Sequence, residues 1–244
     1  MRPQEQMPFL QLVPNMVTLA GLCLGVTAIR FAMADRYELA AVLILLAAII
    51  DGLDGLIARR LSATSAFGAE LDSLSDMVCF AVAPGLIVFS FALGEAHAVG
   101  WITALVYIAA GALRLARFNV MQDSAAPPVR HFVGVPAPAG ALLVMLPVFV
   151  TLAGLADLRQ LPVVVTAWMA AVGLLMISRI KTLSPKGLRV PRAIVPLVFI
   201  AVILAMGMTF TRFWLLLVFA DLAYLVILVL GAWRQHRESR VGAP

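Results

Sequence analysis

Four aspartates recur at fixed spacing in a stretch that is otherwise apolar. They are Asp51, Asp54, Asp72 and Asp76, within DGLDGLIARRLSATSAFGAELDSLSD. A carboxylate in a hydrocarbon layer is costly unless it is paired or binds a cation, so intramembrane acids mark function. On a helix turning about 100° per residue, Asp51 and Asp54 share a face. Ala58 falls about 20° from Asp51 and Gly55 about 40° to its other side, which leaves a slot beside the acids. Gly68, Asp72 and Asp76 are spaced by fours and form a stripe on the next helix. With RLSATSAF between them the two helices run antiparallel, and the acids converge roughly 7–12 Å below the helix ends. Four converging carboxylates repel one another and stay ionised together only with cations present. An all-oxygen ligand set suits Mg²⁺, Mn²⁺ or Ca²⁺ rather than Zn²⁺. Two such ions clamp an in-line phosphoryl displacement. Arg59, beside Ala58, is placed to bind phosphate oxygens bidentately.

The elements that must hold these acids are membrane helices. Of 244 residues 63% are hydrophobic and 13% charged, with a mean hydropathy of +1.02; soluble domains are nearer half apolar and a quarter charged. Apolar runs long enough to cross a bilayer fall at 14–33, 38–60, 69–94, 98–119, 137–156, 161–180, 192–209 and 212–233. The expectation is one all-α polytopic domain over 1–244 with eight helices and no removable signal peptide. Pro84 is expected to kink the third helix. Fourteen of the eighteen Lys and Arg lie at one set of helix ends. By the positive-inside rule both termini are then cytoplasmic. The net charge of +5 therefore points to anionic lipid, and no nucleic-acid motif accompanies it. Residues 234–244 read as a solvated basic tail. The longest polar connections, 120–136 and 181–191, share the basic side with the acids, where a soluble substrate would be gripped.

The pattern D-x-x-D-G-x-x-A-R, eight residues, then G-x-x-x-D-x-x-x-D resembles the signature of the CDP-alcohol phosphatidyltransferase family. Asp51, Asp54, Gly55, Ala58, Arg59, Gly68, Asp72 and Asp76 fill its fixed positions. The resemblance implies a dimeric protein with a six-helix membrane core, here 14–180, followed by two additional helices in 181–233. It implies transfer of a substituted phosphate from a CDP-linked donor to an alcohol, with release of CMP. It further implies that Asp51, Asp54 and Asp72 bind two Mg²⁺ or Mn²⁺ ions, and that Asp76 shares in the metal site and acts as general base. Gly55, Ala58, Arg59 and Gly68 would accommodate the cytidine diphosphate. PNMVT at 14–18, RLARFN at 114–119 and FVGVPAP at 132–138 are similar to the bacterial membrane-integral phosphatidylserine synthases. That implies CDP-diacylglycerol as donor, L-serine as acceptor, and an inner-membrane location.

Serine carries a carboxylate, which calls for a cation near the acids. Arg114 and Arg117 share a helix face, and Arg130 and Lys186 are loop candidates; each is also the kind of residue that snorkels at a basic membrane surface. Asn15 and Thr18 either bond the nucleotide or cap the first helix. Gly21 and Gly25 read as a close helix contact, Cys23 and Cys79 as packing residues, and His131 as a loop residue. Asp221, in the middle of the eighth helix, has no chemical role assigned. Sibling transferases with glycerol-3-phosphate, inositol phosphate or choline as acceptor are the nearest rivals; choline would favour an aromatic cage, and the basic segments are aromatic-poor. A divalent-cation or proton transporter would use the same acids but gives no reason for Gly55, Ala58, Arg59 and Gly68.

Overall fold

The computed structural model describes residues 12–60, 65–94, 97–123, 132–178, 181–182 and 195–241. Eight helices run through them: α1 Leu12–Ala32, α2 Tyr37–Arg60, α3 Ala66–Leu93, α4 His97–Asp123, α5 Ala137–Leu152, α6 Pro162–Ile177, α7 Val195–Thr211 and α8 Phe213–Val241. Five of them, α1 to α4 and α8, are long and apolar enough to span a bilayer; α5 and α6 are shorter and also apolar. The protein is an all-α polytopic membrane protein, as its hydropathy required. Among the described residues, strand structure is confined to a two-residue antiparallel ladder, β1 Phe132–Val133 with β2 Lys181–Thr182.

The helix ends differ from the expected ones where local chemistry intervenes. Helix α3 begins three residues early, because Ser65 caps it by accepting from the Gly68 N–H at 3.0 Å. Helix α5 stops at Leu152, ahead of Gly154 in a left-handed conformation at φ 72°. Helix α8 continues to Val241, so most of the expected tail is helical; extending a formed helix costs little once its apolar part has nucleated it.

Helices α1, α2 and α3 pack on one another, α4 packs on α6, and α5 lies between these groups and touches α3, α6 and α8. Helix α5 is apolar on all sides, as a helix enclosed by neighbours must be. Two prolines sit beyond the first turn of a described helix, and each removes a hydrogen bond to the carbonyl four residues earlier. Pro84 does so for Phe80, in a stretch Met77–Val82 where α3 widens to π geometry. There the buried Tyr107 hydroxyl of α4 donates to the Phe80 carbonyl at 3.0 Å. Pro147 does so for Leu143, and the Trp168 indole N–H of α6 donates to that carbonyl at 2.7 Å. At Pro84, the place of the expected kink, the helix has a widened turn and a borrowed donor.

Candidate active site

Asp51 and Asp54 lie in the last three turns of α2, and Asp72 and Asp76 in the first three turns of α3. The Ser65 cap sets where α3 starts, and hence which side of it carries the acids. Helix α1 crosses behind both. Gly68 lies at this crossing: a Cβ there would stand 2.9 Å from Asn15 Oδ1 and 3.1 Å from Ser65 Oγ, so those side chains would have to shift. Gly25 likewise faces Cys79 closely, in line with the expected close contact and packing thiol.

The structure brings Asp51, Asp72 and Asp76 together, with one oxygen of each within 4.8 Å of the others. Asp51 and Asp76 approach to hydrogen-bonding distance, which two carboxylates tolerate only with a proton or a cation between them. Asp54 stands apart from this trio. It is 5% exposed, and its Oδ2 is 2.8 Å from the Thr18 hydroxyl, whose single proton has the Pro14 carbonyl at 3.1 Å as its other acceptor. Asp54 still lies within electrostatic range of Asp72. Among the described residues no basic side chain forms an ion pair with any of the four, and Arg114 acts on Asp76 through its charge. Oxygen ligands, close approach and missing counter-charge together fit a divalent cation. Between α1 and the acids lies a cavity of about 10 Å³, room for a water-sized occupant; Thr18, Asp51, Asp54, Ser75 and Asp76 line its polar side.

Other expected site residues divide. Asn15 falls inside α1, not at its cap, since the helix already starts at Leu12. Thr18 is bonded to Asp54, which makes it part of the acidic site. Gly55 lies on α2 beside Asp54; the side chains of Ala58 and Arg59 are outside the described residues. Arg114 lies within electrostatic range of Asp76, but Arg117 donates to the Ile177 carbonyl at 3.1 Å, where the last carbonyls of α6 lack helical partners. Arg130, His131 and Lys186 lie outside the described residues. Among the described residues, Phe132–Val133 pairs with Lys181–Thr182, and the latter strand lies beside α8. Gly134, next to β1, holds φ 84°, and a Cβ there would meet the Met176 carbonyl oxygen at 2.9 Å.

Reasoning from spacing missed four contributors. Ser73 and Asn119 exchange hydrogen bonds at 2.8 and 3.1 Å, which ties the start of α3 to the end of α4. Asn119 ends the RLARFN segment, so a signal for it existed. Ser75 donates to the Thr18 carbonyl at 3.3 Å. Tyr224 of α8 lies within electrostatic range of Arg114, and nothing in its apolar sequence surroundings marks it.

The family model for CDP-alcohol phosphatidyltransferase matches residues 11–176. The chain belongs to that family. The match runs over α1 to α6 and leaves α7 and α8 outside. Relatives named CDP-diacylglycerol–serine O-phosphatidyltransferase include that of Mycobacterium tuberculosis, 46% identical over 136 residues, covering 54% of this chain and 47% of the relative. That of Bacillus subtilis is 34% identical over 170 residues, covering 69% and 88%. That of Methanocaldococcus jannaschii is 36% identical over 169 residues, covering 69% and 72%. The chain thus spans about half the length of the mycobacterial relatives it matches. As a CDP-alcohol phosphatidyltransferase family member, it presents its acids at the expected ends of α2 and α3.

Proposed function

We propose that this family member transfers the phosphatidyl group of CDP-diacylglycerol to L-serine, giving phosphatidylserine and CMP. It does so in the inner membrane of a bacterium, as a homodimer, with its basic end and both termini facing the cytoplasm. The observation that carries the reading is the convergence of Asp51, Asp72 and Asp76 within 4.8 Å, without a basic partner among the described residues. The relatives named for this reaction supply the choice of serine.

Asp51, Asp72 and Asp76 would hold the metal, with Asp54 completing the set for a second ion. Bound Mg²⁺ or Mn²⁺ supplies neutralisation of the diphosphate and stabilisation of charge on the transferred phosphate. Thr18 fixes the Asp54 carboxylate, so Asp54 need not reorganise during reaction. Asn15, Gly55, Ala58, Arg59 and Gly68 accommodate the cytidine diphosphate at the mouth of the site. Arg114 faces the serine carboxylate, with Arg130 and Lys186 as further candidates for it, and Arg117 holds α4 to α6. Asp76 accepts the proton of the serine hydroxyl. The serine oxygen forms a bond to the phosphorus that bears diacylglycerol, the phosphoanhydride bond breaks, and CMP leaves with the bonding electrons.

The test is an acceptor panel on the purified full chain with CDP-diacylglycerol, Mn²⁺ or Mg²⁺, and labelled serine, glycerol-3-phosphate, inositol phosphate or choline. Serine-dependent CMP release that chelation abolishes and added metal restores is the expected result. Lipid product from another acceptor but none from serine overturns the serine assignment. Ion flux without CMP release would replace the transferase reading by a transporter.

A further inference from the structure

Arg114 Nε and the Tyr224 hydroxyl are both buried and both without a hydrogen-bond partner. They come from different helices, α4 and α8, and lie within electrostatic range of each other. On its other side Arg114 acts on Asp76. An arginine Nε–H only donates, and a phenol O–H donates while keeping spare acceptor capacity. A bond between the two would satisfy both groups, yet neither has one. Burying polar groups unpaired is costly, so two neighbouring donors without an acceptor are the complement of a small anion. Because Arg114 also acts on Asp76, an anion held there lies on the Asp76 side of the site, where the acceptor hydroxyl must be deprotonated.

The geometry points to Arg114 and Tyr224 together as the subsite for the anionic group of the acceptor, its carboxylate in the case of serine. This inference rests on the transferase reading above. Arg114 supplies the charge, Tyr224 the second donor, and α8 closes the acceptor side of the pocket. Helix α8 packs on α5 and on β2 of the short ladder. It also lies beyond residues 11–176 of the family match. A helix outside the common core therefore takes part in choosing the acceptor. Asp221, one turn earlier on α8, also has a buried unpartnered oxygen. It is not among the groups that act on Arg114, so it stays outside this subsite.

The deciding experiment compares the full-length wild type with Tyr224→Phe, at saturating CDP-diacylglycerol and varied serine. Losing one donor to a carboxylate raises the serine KM about tenfold or more. The CDP-diacylglycerol KM and the kcat at saturating serine stay within about twofold of wild type, a split that loosened packing would not give. Tyr224→Leu, which also removes the ring, shows the same serine-specific rise. An active Tyr224→Phe enzyme with an unchanged serine KM overturns the subsite, as does an equal rise in both KM values. If wild type ignores serine but uses a phosphate-bearing alcohol, the serine reading fails and the same comparison is made on that alcohol's KM. If wild type uses only acceptors without an anionic group, the subsite is overturned as well.

Discussion

Helices α1, α2 and α3 carry polar side chains at both ends, and the two ends treat them oppositely. At the acidic end Asp51, Asp72 and Asp76 crowd one another, and Thr18 is the hydroxyl that serves Asp54. At the far end Asp35 and Asp157 each have a donor. The Tyr37 hydroxyl lies 2.9 Å from Asp35 Oδ1 and 3.0 Å from the Ser90 carbonyl. Arg159 donates to both oxygens of Asp157, at 2.9 and 3.0 Å, and its guanidinium lies 6.0 Å from the Phe91 ring centre. The far end is complete within the protein, whereas the acidic end needs something from outside. Sites that bind and react are built at the expense of self-satisfaction, and a closed polar cluster is a fastening.

The largest effect should come from the acidic end. Asp51→Asn lowers CMP release by at least about 10²-fold, the order expected when a group that positions transition-state charge is lost. Because it also removes mutual repulsion, it leaves the metal-free melting temperature unchanged or raises it. A fall in both activity and metal-free stability would show that the acids hold the fold together, and the contrast between the two ends would collapse.

A middle-sized effect belongs to the fastenings around the prolines. Trp168→Phe leaves the Leu143 carbonyl without its donor and costs about 1–3 kcal/mol of stability. Transfer by the folded fraction stays within a few-fold of wild type. Thermal unfolding in detergent, paired with specific activity, separates the two quantities; a selective loss of activity would mean that this carbonyl matters to the site.

The smallest effect is at the exposed ion pair. Arg159→Gln changes the melting temperature by about a degree or less, since exposed pairs contribute little. Its sign with pH is defined. The guanidinium of Arg159 holds the Asp157 carboxyl below the usual carboxylate range. That contribution is present above the unfolded-state pKa and is lost as pH falls through the lower folded value. Wild type and Arg159→Gln therefore converge in acid; a difference that grows in acid would contradict the pairing.

The acids were legible because charge in an apolar run is a strong signal and because helical spacing alone puts Asp72 and Asp76 on one stripe. The helix count was legible for the same reason, since hydrocarbon thickness sets a minimum length. Spacing did not separate Asp54 from the other three, because its partner Thr18 is 36 residues away on α1. Nor did it separate Arg114 from Arg117. The two lie three residues apart on one face, yet one is near Asp76 and the other caps α6.

By itself, then, the sequence determined the class of protein, the eight helices, the basic side and the four acids, all through local composition and helical period. Tertiary structure alone decided which three acids meet, that Tyr107 and Trp168 repair the carbonyls that Pro84 and Pro147 leave open, and that Tyr224 of α8 stands by Arg114. Those outcomes depend on which helices become neighbours. Packing of whole faces sets that, and no short stretch of sequence encodes it.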